Sequence, residues 1–494
     1  MVSLSWLESL SGAELSHVHI TLLVFLLVFY TVKVINQNRR DLANIPPGPK
    51  PWPLVGNFDG TVKNAMVVLT EQANVYGNVY SLFVGSQLMV VLNGYEVVKD
   101  ALSNHSKVFS DRPDIPAITI MTKRKGIVFA PYGPVWKKQR KFCHATLRNF
   151  GLGKLSLEPC ILRGLATVKT ELMRLNEGSG AAGVDLAPLI RNAVSNVICS
   201  LILGQSFHHE DRQFRNMLDL MDRGLEISVN SPAVLINIFP LLYYFPFGVF
   251  KELRQVEGDI TVFLKRVIAN HRETFNPDHP RDLVDMYLKE ISVQEDSSFT
   301  EDYLFYIIGD LFIAGTDTTA NSILWILLYM VLHPDIQGKY RVQAEIDEVV
   351  GTHRDPSMTD KGSLPFTEAT IMEVQRLTVA VPLAIPHMAS KTTEFRGYTI
   401  PKGTVIVPNL WSVHRDPTLW DDPRQIECFI PFGIGPRVCM GEQLAKMELF
   451  LAVSSLLQAF RFRLPEGTPP PTLNGRFGLT LAPCPYTVCV HPRR

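Results

Sequence analysis

Between Thr300 or Glu301 and His333-Pro334 the chain runs as one uninterrupted helical stretch that is apolar on nearly all sides. At about 1.5 Å of rise per residue, a helix of this length is roughly 45 Å long, about the width of a large domain. A helix with no polar face must be enclosed, by lipid or by protein. Asp310 and Asp317 lie within it. A carboxylate facing lipid is expensive, so the stretch predicts a buried central helix with the rest of a domain packed around it. The chain has the material for that: 46% of its 494 residues are hydrophobic and 19% charged, enough to bury a sizeable core. Its length admits two or three ordinary domains or one large one, and no low-complexity linker or internal repeat divides it. The formal net charge is zero, so no global excess of charge points to nucleic acid. Seven cysteines, odd in number and scattered without a CxxC pair, fit a reducing compartment and exclude a disulfide scaffold.

One of those cysteines sits in an unusual setting. Phe432-Gly433-Ile434-Gly435-Pro436-Arg437-Val438-Cys439-Met440-Gly441 precedes an apolar helix running from about Glu442 to Phe460. Glycines on both sides let the backbone approach a flat ligand. Amides near a helix start favour negative charge on a sulfur, and Arg437 is placed to pair with an acidic group on the same ligand. A lone thiolate there suits the axial ligand of a haem iron. Taken alone, Cys439 reads as a buried free cysteine in a Gly-rich turn; the whole ten-residue pattern reverses that reading.

The ten-residue pattern resembles the haem-binding loop of the cytochrome P450 family. Two further motifs support this: Glu373-Val374-Gln375-Arg376 is similar to the family's Glu-x-x-Arg pair, and Ala314-Gly315-Thr316-Asp317-Thr318-Thr319 to its oxygen-activation motif. Their order and spacing carry the resemblance, which covers nearly the whole chain. At finer grain it looks closest to the microsomal family 2 and, within that, subfamily U. The implied fold is mainly α with small β-sheets, behind an N-terminal membrane anchor helix. The implied cofactor is haem b, with its iron held by the Cys439 thiolate.

Val18 to Ile35 is apolar apart from His19, Thr21, Thr31 and Lys33; Glu8 and Glu14 precede it, and Arg39 and Arg40 follow. Leu15 to Ile35 reaches the ~20 residues of a membrane crossing if Lys33 snorkels. A cleaved signal peptide would carry its positive charge before the apolar run, so a retained anchor is expected, with everything past Arg40 in the cytosol. The prolines of Ile45-Pro46-Pro47-Gly48-Pro49 forbid helix. The expected division is therefore an anchor over 1–44 and a haem-binding domain over 45–494, with a proline hinge at 45–53.

Within the domain, Val79 to Val84 and Leu88 to Leu92 flank Gly85 as a hairpin, and Glu394 to Val407 reads as strands around Pro401-Lys402-Gly403. Ala233 to Phe250 is apolar and aromatic but broken by Pro232, Pro240 and Pro246. It reads either as a loop folded over the core or as a surface dipping into a bilayer interface. The resemblance places it at the roof of a substrate channel.

The resemblance also assigns roles. Arg112, Trp136, Arg140, His387 and Arg437 would contact the haem propionates, with Phe432 and Gly433 in the loop beneath. Trp136 and Arg140 are four apart, on one helix face. By itself Arg140 is one member of a basic run with Lys137, Lys138 and Lys141; with the resemblance, that run becomes a docking face for an acidic electron donor. Asp317 and Thr318 are the catalytic pair, Thr318 handling protons at dioxygen and Asp317 relaying them. Read locally, they are polar side chains bonding back to the preceding turn. Gly315 and the hydroxyls at 316, 318 and 319 are expected to weaken the helical ladder there. Glu373 and Arg376 are read locally as a surface ion pair, whereas the resemblance implies a buried structural pair supporting the cysteine segment.

One stretch departs from the family. Trp420-Asp421-Asp422-Pro423-Arg424-Gln425-Ile426-Glu427-Cys428-Phe429 runs almost straight into Ile430-Pro431-Phe432, and the aromatic-x-Pro-x-Arg-Phe motif of the family's meander is missing. Arg424 is the only arginine there. A buried Glu373–Arg376 pair without its third partner would be under-compensated. The leading expectation is a membrane-bound monooxygenase of the endoplasmic reticulum, with a second organelle membrane left open. It would hydroxylate lipophilic substrates, long-chain fatty acids near the methyl end, using dioxygen and electrons from an NADPH-dependent diflavin reductase, with cytochrome b5 as a further donor and no nucleic acid partner. Ile115, Ile118, Ile120 and Ala314 are candidates for the pocket wall. The alternatives are a peroxide-rearranging enzyme, which the intact Asp317-Thr318 pair disfavours, and a haem-poor, non-catalytic protein that has lost the site through the shortened meander.

Overall fold

The long apolar stretch forms a continuous helix, Glu301–Leu332, at the centre of the molecule. Thr300 caps it by accepting a hydrogen bond from the Tyr303 amide at 3.2 Å, and Glu301 and Asp302 sit favourably in its first turn. It ends where Pro334 follows His333. A computed structural model of the protein describes residues 19, 21–26, 28–30, 44–53, 55–57, 64–179, 183–208, 211–230, 232–293, 298–338, 341–420 and 426–493. Glu8, Glu14, Lys33, Arg39 and Arg40 of the expected anchor lie outside the described residues, as does Arg424.

Helices of eight or more residues from residue 65 on are α1 (Ala65–Tyr76), α2 (Pro134–Asn149), α3 (Glu158–Ser179), α4 (Ala187–Ile202), α5 (Arg212–Asn230), α6 (Gly248–Thr274), α7 (Leu283–Val293), α8 (Glu301–Leu332), α9 (Val342–Val349), α10 (Pro365–Thr378) and α11 (Glu442–Ala459). Helix α8 packs against α4, α10 and α11. Ile307, Ile308, Ala320, Leu327 and Leu328 on it are fully buried, as are Leu451, Leu456 and Leu457 on α11. Although α8 is long and apolar enough to cross a membrane, most of its apolar window is covered by protein. The interior carboxylates anticipated that outcome.

The strands make one principal sheet of order β1-β2-β6-β3, where β1 is Val79–Val84, β2 Gln87–Leu92, β3 His387–Met388 and β6 Val405–Pro408; β4 (Thr393–Phe395) and β5 (Tyr398–Ile400) form a separate pair. The expected hairpin pairs Val84 with Gln87 across a turn in which Gly85 has φ +59°. The strands near Pro401 exist, but they do not pair across that turn. Tyr398–Ile400 turns back on Thr393–Phe395, while β6 runs parallel to β2. The proline segment is tied down: the Ser81 amide donates to the Pro47 carbonyl and the Ser81 hydroxyl to that of Pro46, both at 2.7 Å.

Residues 232–247 make two short 3-10 turns, Pro232–Asn237 and Pro240–Tyr244, as the prolines require. Ala233 and Ile236 are buried in a roof cluster with Leu253 and Val256 of α6. Leu241, Tyr244, Phe245 and Phe247 are exposed. Far from this segment in sequence, the described apolar residues from Leu22 to Tyr30 are helical and each more than half exposed.

Candidate functional site

The cysteine loop is shaped by two left-handed glycines, Gly433 (φ +74°) and Gly435 (φ +80°). A Cβ on Gly435 would lie 2.1 Å from the Leu102 carbonyl oxygen, so only glycine fits. The loop closes when the Cys439 amide donates to the Phe432 carbonyl at 3.0 Å, and α11 begins directly after Gly441. Cys439 opens into a cavity of about 700 Å³ that passes between the loop and the middle of α8. Burial pushes its thiol above the ordinary range; the Gly441 amide and Arg140 pull it back toward the thiolate.

One end of this cavity carries a cluster of cations. Arg112 donates to the carbonyls of Val128, Ile385 and Pro386 at 2.7–2.9 Å. Arg437 donates to those of Ser110, Ile127 and Ala130 at 2.7–3.1 Å, and its guanidinium lies 4.0 Å from the centre of the Trp136 ring. Arg140 donates to the Val438 carbonyl at 2.5 Å. Among the described residues none of the three forms an ion pair with a carboxylate. Burial, and their repulsion of one another, lower the affinity of Arg112 and Arg437 for their protons, that of Arg437 to about 10. His387 contacts the Phe109 carbonyl through Nδ1 at 2.6 Å, and burial beside Arg112 pushes it well below its ordinary value. Such a cluster is costly unless an anion enters it. Of the residues expected there, Arg112, Arg140, His387, Arg437, Phe432 and Gly433 line the cavity. Trp136 does not; its indole N–H donates to the Ile127 carbonyl at 3.0 Å, and the ring supports Arg437 from behind.

Across the cavity, Thr318 and Asp317 also line it. The Thr318 hydroxyl donates to the Ala314 carbonyl at 2.7 Å. Asp317 is buried; it accepts from Asn321 Nδ2 at 2.9 Å and from the Thr480 hydroxyl. The expected weakening of the helical ladder is not realised, and α8 stays regular through 314–319. The reason is that Thr318 shares the Ala314 carbonyl without displacing the backbone, while Asp317 is held from outside the turn. Gly315 serves packing instead: a Cβ there would lie 2.4 Å from the Ile198 side chain of α4. Of the four candidate wall residues, Ile115, Ile118 and Ala314 line the cavity, whereas Ile120 packs in the roof cluster.

The Glu-x-x-Arg pair is bidentate, both bonds at 2.7 Å, but Glu373 is 53% exposed. The burial implied by resemblance is therefore corrected, and with it the expected under-compensation: a carboxylate in contact with water needs no third protein partner. Arg376 also donates to the His414 carbonyl at 2.7 Å and lies over the Trp420 ring. His414 Nε2 accepts from the Ile430 amide at 3.1 Å, and the Ile430 carbonyl accepts from the Gly433 amide. The pair thus braces the cysteine loop through His414, which burial lowers to about 4.

Four further groups were not singled out in these roles from the sequence. Asp310 accepts from the amides of Ile127 and Val128 at 2.6 and 2.8 Å, fixing the loop that feeds carbonyls to Arg112 and Arg437; burial raises it to about 6. Thr480 and His414 reach the site over long sequence separations, which no local pattern signals. Glu448 on α11 is 2% exposed, lines the cavity and has no hydrogen-bond partner on either oxygen, so burial pushes it well above the usual carboxylate range.

A slot with a thiol on one side and unpaired cations at one end fits a flat, dianionic, metal-bearing ligand. The family model described as Cytochrome P450 matches residues 46–490. The chain belongs to the cytochrome P450 family. It is 54% identical to the human protein Cytochrome P450 2U1, over 92% of this chain and 90% of that one, and 54% identical to its counterpart from Rattus norvegicus. Identity to Cytochrome P450 2D3 of Rattus norvegicus is 38%, over 99% of this chain. The P450 is therefore a member of family 2, subfamily U, and its cofactor is haem iron with a cysteine thiolate as axial ligand.

Proposed function

We propose that this P450 is bound to the endoplasmic reticulum membrane and hydroxylates long-chain fatty acids near the methyl end, with electrons from an NADPH-dependent diflavin reductase and cytochrome b5 as a further donor. The observation that carries this reading is that Cys439, Thr318 and Asp317 face one cavity whose remaining lining is overwhelmingly apolar, including Ile115, Ile118, Leu253, Phe305 and Ile313. Cys439 is the only cysteine among the lining residues, which supports it as the axial ligand. Arg112, Arg140 and Arg437, with His387, would hold the propionates; an anion there relieves the repulsion among the cations. Bound haem supplies the redox and dioxygen chemistry.

The chain's own part is to exclude water and to manage protons. Thr318 presents its hydroxyl to the cavity with the proton committed to the Ala314 carbonyl. To donate into the cavity it must turn from that carbonyl, and Asp317 one residue away, which accepts from the cavity-lining Thr480, would relay the replacement proton. Lys137, Lys138 and Lys141 are exposed on α2 while Arg140 faces the cavity, an arrangement suited to an acidic donor protein near the cysteine side. The exposed apolar residues of 22–30 and 239–247 support membrane attachment with the roof toward lipid.

The test is the reduced, carbon monoxide-bound spectrum of membranes containing the protein, followed by fatty acid turnover with reductase. A strongly red-shifted Soret band that disappears in Cys439→Ala is expected. Well-expressed protein without that band would instead establish the haem-poor alternative. Thr318→Ala should keep the band and NADPH consumption but lose product per electron; unchanged coupling would remove Thr318 from the mechanism.

A further inference from the structure

The roof of the cavity carries its charges in a definite order. Glu257, on α6, lines the cavity and accepts from the Tyr243 hydroxyl at 2.5 Å through Oε2. Its Oε1 has no hydrogen-bond partner among the described residues. The other lining carboxylates are committed or enclosed: Asp310 to backbone amides, Asp317 to Asn321 and Thr480, and Glu448 in the core of α11. The lining arginines all lie at the Cys439 end. Toward the roof, then, the pocket wall offers a carboxylate and no cation.

One turn earlier on the same helix, Arg254 takes the opposite position. It does not line the cavity. Its guanidinium donates to the carbonyls of Tyr243 and Phe245, the latter at 3.0 Å, on the segment that exposes Tyr244, Phe245 and Phe247. Among the described residues it makes no ion pair, so its charge is met only by carbonyl dipoles and the Tyr243 ring 5.7 Å away. Arg254 thus places an unpaired cation outside the cavity, beside the exposed aromatic segment, while Glu257 one turn on places a carboxylate on its inner wall.

We propose that Arg254 and Glu257 act together as an orientation filter: Arg254 holds the carboxylate of a fatty acid at the rim, Glu257 keeps it out of the interior, and the chain enters methyl end first. This rests on the fatty acid reading above and gives it a cause, since a carboxylate held at the roof leaves the distal end of the chain to reach Cys439. Like-charge juxtaposition in a partly desolvated wall is strongly disfavoured, whereas an ion pair at a wet rim contributes modestly. Glu257 is thus the larger determinant of direction and Arg254 of affinity. A neutral lipid of the same length feels neither effect.

The experiment uses full-length holoprotein in vesicles with reductase, and a long-chain acid beside the alcohol of identical chain. Binding is read from the substrate-induced Soret shift, and orientation from the positions hydroxylated. Arg254→Gln should raise Kd for the acid roughly fivefold, the scale of a partly exposed ion pair, and leave the alcohol unchanged. Glu257→Gln should spread the acid's products toward its carboxyl half without altering the alcohol's, and Glu257→Asp should restore the parent pattern. Each variant is first shown to give the parent carbon monoxide spectrum. If Glu257→Gln leaves the acid's products unchanged, or moves acid and alcohol alike, the filter is refuted while fatty acid hydroxylation stands. If neither ligand shifts the Soret band of the parent protein, the fatty acid reading falls and the filter with it.

Discussion

Two groups of charge flank the cysteine loop, and they are built on opposite principles. On one side Arg112, Arg140 and Arg437 converge at the cavity, all of one sign, held by carbonyls and without a carboxylate partner among the described residues. On the other, Glu373 and Arg376 neutralise each other in a bidentate pair that reaches the loop through His414 and Ile430. The first arrangement is complete only when an anionic ligand is added; the second is complete by itself. Surplus buried charge marks a binding device, and self-compensated charge marks a brace.

Removing charge from each side should therefore have different consequences. Arg437→Met keeps much of the volume over Trp136 but loses one cation. Haem affinity should fall roughly thirtyfold or more, because one partner of a buried charge pair is worth about 2–5 kcal/mol. The haem-free protein also loses three carbonyl bonds but sheds a surplus cation, so its stability should fall by less than that of the haem-bound form, which haem content measured beside thermal unfolding of both forms would show. Equal losses in both forms would erase the distinction. Arg376→Ala should destabilise haem-free and haem-bound protein alike by about 1–3 kcal/mol, through the lost bond to the His414 carbonyl and the lost pair. Denaturant unfolding of both forms gives that number.

The brace also has a pH signature. His414 is held near 4, below its ordinary 6.5, so the unfolded chain binds its proton first as pH falls. Its contribution is fully present above about pH 6.5 and is lost on acidification, by about 2 kcal/mol between pH 6.5 and 5. His387, also lowered, acts in the same direction; Asp310, raised to about 6, acts in the opposite one over the same interval. The difference between the parent and His414→Gln isolates the His414 share, and identical pH profiles would show that His414 is not the titrating group. The smallest effect is expected at Glu448→Gln. If burial keeps that carboxyl neutral, an amide replaces it with a change within about 0.5 kcal/mol in unfolding at neutral pH. A large stabilisation would show that the parent carries a buried charge there.

Much of this was legible in residue order. Caps, proline stops and apolar content act locally, which is why α8, α11, the hairpin at Gly85 and the broken roof segment follow from short stretches of sequence. The cysteine loop was readable for the same reason: Gly433, Gly435, Arg437 and Cys439 lie within seven positions and shape one another directly. The strands around Pro401 were legible as strands but not in their pairing, because β6 finds its neighbour β2 more than three hundred residues earlier.

What the sequence could not settle is which polar groups meet. Whether Glu373 is buried, whether Trp136 faces the ligand or supports Arg437, and whether Thr318 distorts α8 all depend on packing between distant segments. Asp310 with the Ile127 amide, Asp317 with Thr480, and Arg376 with His414 are such meetings. The sequence by itself determined the central helix and the cysteine loop, because backbone propensity and apolar content act over a few residues, and its resemblance to the family gave the class of chemistry. Tertiary structure alone decided where charge is left unpaired, because desolvation and partner geometry are properties of a site in space.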